Sequence, residues 1–225
     1  MNFKVLIFVI FCSMSTLAFS QVRYGVVGGG NLSRLAVPDS EPNSKSGIGF
    51  FVGGYVDVPL NSALSIRSGL NFQRIGVRND FREIVSIERR MNSLELPVHV
   101  TYAIPIREAG NLLIGVGPFV GLQLSGKIKE TWEEIDVTNE GISFPSGDFE
   151  SDIVYSGDHA LMNRFDYGIS SLLGYKFGNG LFIRVGYNIG LAQLNKRQEE
   201  FQFNTGQKEY KENSRVVSLG IGFEF

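Results

Sequence analysis

Residues 215–225 read RVVSLGIGFEF. From Val217 onward every odd position is apolar (Val217, Leu219, Ile221, Phe223, Phe225), while the even positions hold Ser218, Gly220, Gly222 and Glu224. Successive side chains of a strand point to opposite faces, so this is a strand with one wholly apolar face and one small or polar face.

The same period-two alternation recurs along the chain. Eight such strands are predicted, at 22–32, 47–58, 63–75, 92–104, 111–125, 163–177, 180–194 and 213–225. Their connections run to about 14, 4, 16, 6, 37, 2 and 18 residues, long and short in strict alternation. The short ones, PLNS (59–62), PIREAG (105–110) and GN (178–179), are tight-turn sequences. The long ones are polar and charged. An even-stranded antiparallel barrel with turns at one rim and loops at the other has this rhythm.

The faces decide the solvent. One carries Leu94, Leu96, Val98, Val100, Tyr102 and Ile104 on the fourth strand, and Phe165, Tyr167, Ile169, Leu173, Tyr175 and Phe177 on the sixth. The other carries Glu95, His99, Asp166, Lys176 and Arg184 among many glycines. A soluble barrel would turn its apolar face inward and coat its outside with polar side chains. The second face is too rich in glycine for that; it reads as a narrow lumen, which leaves the apolar face to lipid. A closed barrel pairs every backbone group inside a bilayer. Tyr24, Tyr102, Tyr175, Phe177, Phe223 and Phe225 gather at the tight-turn rim, as an aromatic girdle does at a membrane boundary.

The chain opens with MNFKVLIFVIFCSMSTLAFSQ. Lys4, an apolar run from Val5 to Cys12 and the small residues before Gln21 have the order of a secretory signal peptide, cleaved after Ser20. The run is far shorter than the ~20 residues of a spanning helix. A lipoprotein signal would want a small residue, not Phe11, before Cys12. The expected organisation is a signal peptide at 1–20 and one barrel domain at 21–225. Cys12 is the only cysteine, so the mature chain has no disulfide. Loss of Lys4 leaves 20 basic and 23 acidic residues, which speaks against a nucleic-acid partner.

Chemistry-bearing motifs are sparse. Gly28-Gly29-Gly30 and Gly115-Val116-Gly117 lack the Lys-Ser/Thr and helix of a phosphate loop. His99 has Pro97 two positions before it and Glu95 four before it, and no serine is marked as its partner; His159 is the other histidine. No metal-ligand spacing occurs, so no catalytic, metal or cofactor site is expected. By parity the lumen holds Arg23, Arg67, Lys176 and Arg184 against Asp57, Glu95, Asp166 and Glu224. Four charges of each sign balance, which favours a paired plug over the selectivity lining of a channel. Arg164 shares the parity but falls at the wet loop rim. Gly126 to Met162 carries nine acidic residues and two lysines, together with Trp132. It reads as a solvated surface loop; a cation or partner site is the alternative.

Taken in order, GVVGGGNLS, SLELPVHVTYAIP, GVGPFVGLQLSGK, FDYGISSLLGYKF, FIRVGYNIGLAQL and SLGIGFEF resemble the outer-membrane protein β-barrel domain family, including the short porin family and PorT-like proteins. The resemblance implies an all-β, eight-stranded, antiparallel up-and-down transmembrane barrel in the outer membrane, with short periplasmic turns and long extracellular loops. It implies no enzyme chemistry. Leu219, Ile221, Phe223 and Phe225 resemble the signal read by the barrel-assembly machinery. The expected role is structural or interactive, with outer-membrane lipid around the barrel and an envelope or extracellular protein at the loops. A PorT-like secretion component is the first alternative, and a barrel enzyme acting on lipid or peptide the second.

Overall fold

The computed structural model describes residues 22–36, 44–81, 85–107, 110–132, 135–137, 142–144, 146–157, 160, 162–194 and 213–225. The expected signal peptide and His159 lie outside the described residues. The described residues form eleven strands: β1 Arg23–Ala36, β2 Ser44–Pro59, β3 Leu64–Phe81, β4 Val85–Ile106, β5 Gly110–Trp132, β6 Ile135–Val137, β7 Ile142–Phe144, β8 Gly147–Asp152, β9 Phe165–Phe177, β10 Leu181–Gly190 and β11 Asn213–Glu224.

Eight of them close an antiparallel ring in the order β1-β2-β3-β4-β5-β9-β10-β11. The last strand returns to the first, with Gly25 opposite Glu224 at one end of the seam and Ala36 opposite Asn213 at the other. These are the eight staves expected from the alternation. The other three strands, β6, β7 and β8, fall inside 126–162, whose composition predicts a loop.

The difference has a physical cause. Alternation of apolar and polar residues is imposed only where one face must meet lipid, whereas backbone pairing continues beyond that band. β3 and β4 run on until only 82–84 separate them, so the expected connection at 76–91 is largely strand. β5 likewise continues to Trp132, and β8 pairs along its far end from Lys127↔Asp152 to Trp132↔Gly147. In this extension opposite charges stand next to each other in register, Arg78↔Glu88, Glu88↔Lys129 and Lys129↔Glu150, across four strands. Such cross-strand pairs stabilise a sheet without any apolar face. Lys127 also meets Glu150, and Lys129 meets Asp148 at 2.8 Å, so the acidic segment is in part neutralised.

The outward face is an apolar band. Val100 is 53% exposed, Leu219 61% and Phe165 61%, values that no soluble strand would tolerate row upon row. At the turn rim Tyr175 stacks edge-on with Phe177 at 4.9 Å, and Phe223 with Phe225 at 5.3 Å.

Inside, each end of the ring has its own apolar cluster. Toward the turn rim, Val27, Phe51, Tyr55 and Phe182 pack together. Toward the loop rim, Ile75, Val77, Met91, Ala192, Leu194 and Val216 close around Ile153, Tyr155 and Met162. Those last three belong to the segment expected to be solvated; instead they fold back over the mouth. Ile153 N–H donates to Gly126 C=O at 2.8 Å, and Asn163 N–H to Leu194 C=O at 2.8 Å. Gly126 makes the approach possible, because a Cβ there would lie 2.5 Å from the Tyr155 hydroxyl and 2.7 Å from Ile153 Cδ1. Burial of apolar side chains, not loop hydration, decides this stretch.

Candidate functional site in the barrel interior

Inward positions of neighbouring strands lie beside one another, so the polar face predicted from parity becomes a lining. At the turn rim five of the eight charged residues meet. Asp57, fully buried, accepts from Ser65 Oγ at 2.8 Å and Arg67 Nε at 3.2 Å, and is also bonded by the Arg23 guanidinium. Glu224 accepts from Arg67 at 3.0 Å, Lys176 Nζ at 2.6 Å and the Tyr55 hydroxyl at 3.1 Å. Arg23 Nε also lies 3.6 Å from Glu224, across the seam where the last strand meets the first. The Arg67 guanidinium sits 4.2 Å over the Tyr55 ring. With several donors on each carboxylate, the cluster meets the condition under which buried charges are tolerated.

The remaining three, Glu95, Asp166 and Arg184, do not join it. Arg184 stands between Gly174 and Gly220 on the flanking strands and lies 4.9 Å over the Phe51 ring. Among the described residues none of the three forms an ion pair. Neutral groups hold them instead. Glu95 Oε2 accepts from Asn188 Nδ2 at 2.7 Å and Gln73 Nε2 at 3.0 Å, and Asp166 Oδ2 accepts from Ser214 Oγ at 2.6 Å.

His99 does have a serine partner, Ser170, with Nε2 and Oγ 2.8 Å apart. No spacing in the chain announced it, because the two lie on β4 and β9 and meet only across the lumen. Asn188 presents its NH2 to Glu95 and its carbonyl to Ser170. Ser170 donates to that carbonyl at 2.7 Å, which leaves its oxygen to accept from His99. The imidazole therefore donates to the serine and takes no proton from it, the reverse of what an activated nucleophile requires. Both residues are also buried in the lumen. Gln73, Ser170, Asn188 and Ser214 are among the interior residues that parity alone did not single out, since uncharged polar side chains carry little signal on a glycine-rich face.

The interior forms a stack of three layers. The charge cluster fills the turn-rim mouth, the neutral hydrogen-bond chain fills the middle, and Ile153, Tyr155 and Met162 cover the other mouth. A small polar cavity of about 20 Å³ lies beside His99 and Arg184, enough for a water molecule or two.

The family described as outer membrane protein beta-barrel domain matches residues 15–196. No curated protein matches the chain in sequence. Among solved structures, the attachment invasion locus protein Ail of Yersinia pestis is 14% identical with a TM-score of 0.42, the match covering 91% of this chain and 99% of that one. OprG of Pseudomonas aeruginosa is 12% identical with a TM-score of 0.44, over 90% of this chain and 95% of that one. The outer membrane enzyme PagL is 14% identical with a TM-score of 0.37, over 88% and 98%.

Proposed function

The chain belongs to the outer membrane protein β-barrel domain family, and we propose that within it this protein is a closed structural barrel that engages a protein partner through its extended loop-rim strands. One observation carries the reading: the interior is occupied at three levels, by paired charges, by a neutral hydrogen-bond chain and by an apolar cover. Eight strands leave an interior just wide enough for side chains, whereas aqueous channels go with about 16–18.

The interaction role draws support from the β3–β4–β5–β8 extension. It projects past the apolar band as a continuous sheet, and it exposes Trp132 and Phe149. Large exposed aromatics of this kind are enriched at protein interfaces. We also infer that the outward row Leu219, Ile221, Phe223 and Phe225 is read by the barrel-assembly machinery.

Purified monomer in a planar bilayer is expected to show no steady, porin-sized conductance. Large reproducible single-channel steps would overturn the closed-barrel reading. A PorT-like role in secretion is the runner-up; deletion would then change the secreted protein profile, whereas a structural barrel would alter envelope integrity alone.

A further inference from the structure

We propose that the loop-rim half of the lumen holds one dehydrated monovalent cation, of sodium-to-potassium size, between Asp166, Gln123, Ser93 and Glu95. The register brings these residues together. Glu95 on β4 and Asp166 on β9 both stand opposite Gly121 of β5, which has no side chain to separate them. Ser93 and Gln123 face each other two positions further toward the loop rim on the same inward face. All four line one cavity of about 10 Å³, room for a single small sphere.

The second observation concerns oxygens that lack partners. Ser93 Oγ, Gln123 Oε1 and Asp166 Oδ1 are buried and accept no hydrogen bond, in residues only 1%, 3% and 6% exposed. Buried polar atoms are nearly always satisfied, and three unsatisfied oxygens around one cavity call for a shared electropositive occupant. Their chemistry, a carboxylate, an amide carbonyl and a hydroxyl, is that of hard-cation ligands.

Charge points the same way. The turn-rim cluster holds Arg23, Arg67 and Lys176 against Asp57 and Glu224, an excess of one positive charge. With both carboxyl groups ionised, the upper group of Glu95, Asp166 and Arg184 carries an excess of one negative charge. Arg164, just before β9, is exposed at the rim. A monovalent ion cancels the upper excess; a divalent ion would overshoot it. Magnesium keeps most of its waters, and the cavity has no room for that shell.

The test uses the folded protein in detergent. Its unfolding temperature is followed by loss of the heat-modifiable band at fixed ionic strength in sodium, potassium or choline chloride. The expected result is a saturable rise with sodium or potassium over choline, abolished in Asp166→Asn. Gln123→Leu keeps both carboxylates and removes one neutral ligand; it should raise the half-saturating cation concentration about tenfold, and it serves alone if Asp166→Asn does not fold. Excess ²³Na relaxation in the folded wild type, lost in the variant, would support the same assignment. Equal stability in sodium and choline, an unchanged response in both variants, or a response to calcium alone would overturn it.

Discussion

Arg67 donates to Glu224 Oε2 at 3.0 Å across 157 residues of chain, and the same guanidinium bonds Asp57. Both partners are almost completely buried. Because β11 pairs with β1 at the seam, this contact ties the third stave to the last and secures closure of the ring from inside. Glu224→Gln leaves Arg67 and Lys176 without that carboxylate in a buried setting, where breaking a pair costs about 3–5 kcal/mol. Lys127→Ala, which breaks an exposed, solvent-screened pair with Glu150, should cost far less. Urea unfolding of both variants in the same detergent measures the contrast; equal losses would remove the structural weight given to the turn-rim cluster.

Val100 lies on the outward face of β4, and arginine near the midplane of a barrel's lipid face costs about 2–4 kcal/mol. Val100→Arg should lose that much, whereas Val100→Leu should be close to neutral. The inward neighbour offers no refuge for a charge. Thr101 is 1% exposed, so Thr101→Arg should also destabilise, by overpacking in place of desolvation. Refolding yield into bilayers of thicker lipid separates the two causes, since only the lipid-facing arginine should respond to thickness.

Phe225 shows its ring to the outside and packs on Phe223, while its N–H donates to Tyr24 C=O at 2.7 Å. Phe225→Ser keeps the backbone bond and removes the ring. If the outward row is read during assembly, the variant should accumulate in the periplasm or be degraded in cells, yet refold normally from urea into detergent. Normal insertion in cells would count against the assembly reading.

Leu194 is 1% exposed within the loop-rim cluster and touches the segment that folds over the mouth. Leu194→Ala should cost about 2–5 kcal/mol, as other buried leucine truncations do. Protease cleavage between Ile153 and Met162 should then quicken. Conductance should stay absent, because the turn-rim cluster closes the other end independently; channel opening in this variant would show that the apolar cover is the only seal.

The alternation of apolar and polar residues by itself determined the eight staves, the outward and inward faces and the inward parity of all eight charged residues. Lipid on one side and a narrow lumen on the other force each position in a spanning strand to choose. The same alternation left the β3–β4–β5–β8 extension unseen, because outside the apolar band neither face is obliged to be greasy and only backbone pairing holds the strands. Parity names a face; it does not name the residue opposite. Which charges meet depends on the tilt and register of the closed ring. Tertiary structure alone therefore gathered Arg23, Asp57, Arg67, Lys176 and Glu224 at one rim, and set Glu95, Asp166 and Arg184 apart among neutral donors. It also placed Ser170 beside His99, and it drew Ile153, Tyr155 and Met162 out of an acidic segment into the mouth. A few apolar side chains within a charged stretch gain burial only where a ring of Ile75, Val77, Met91 and Leu194 is already there to receive them.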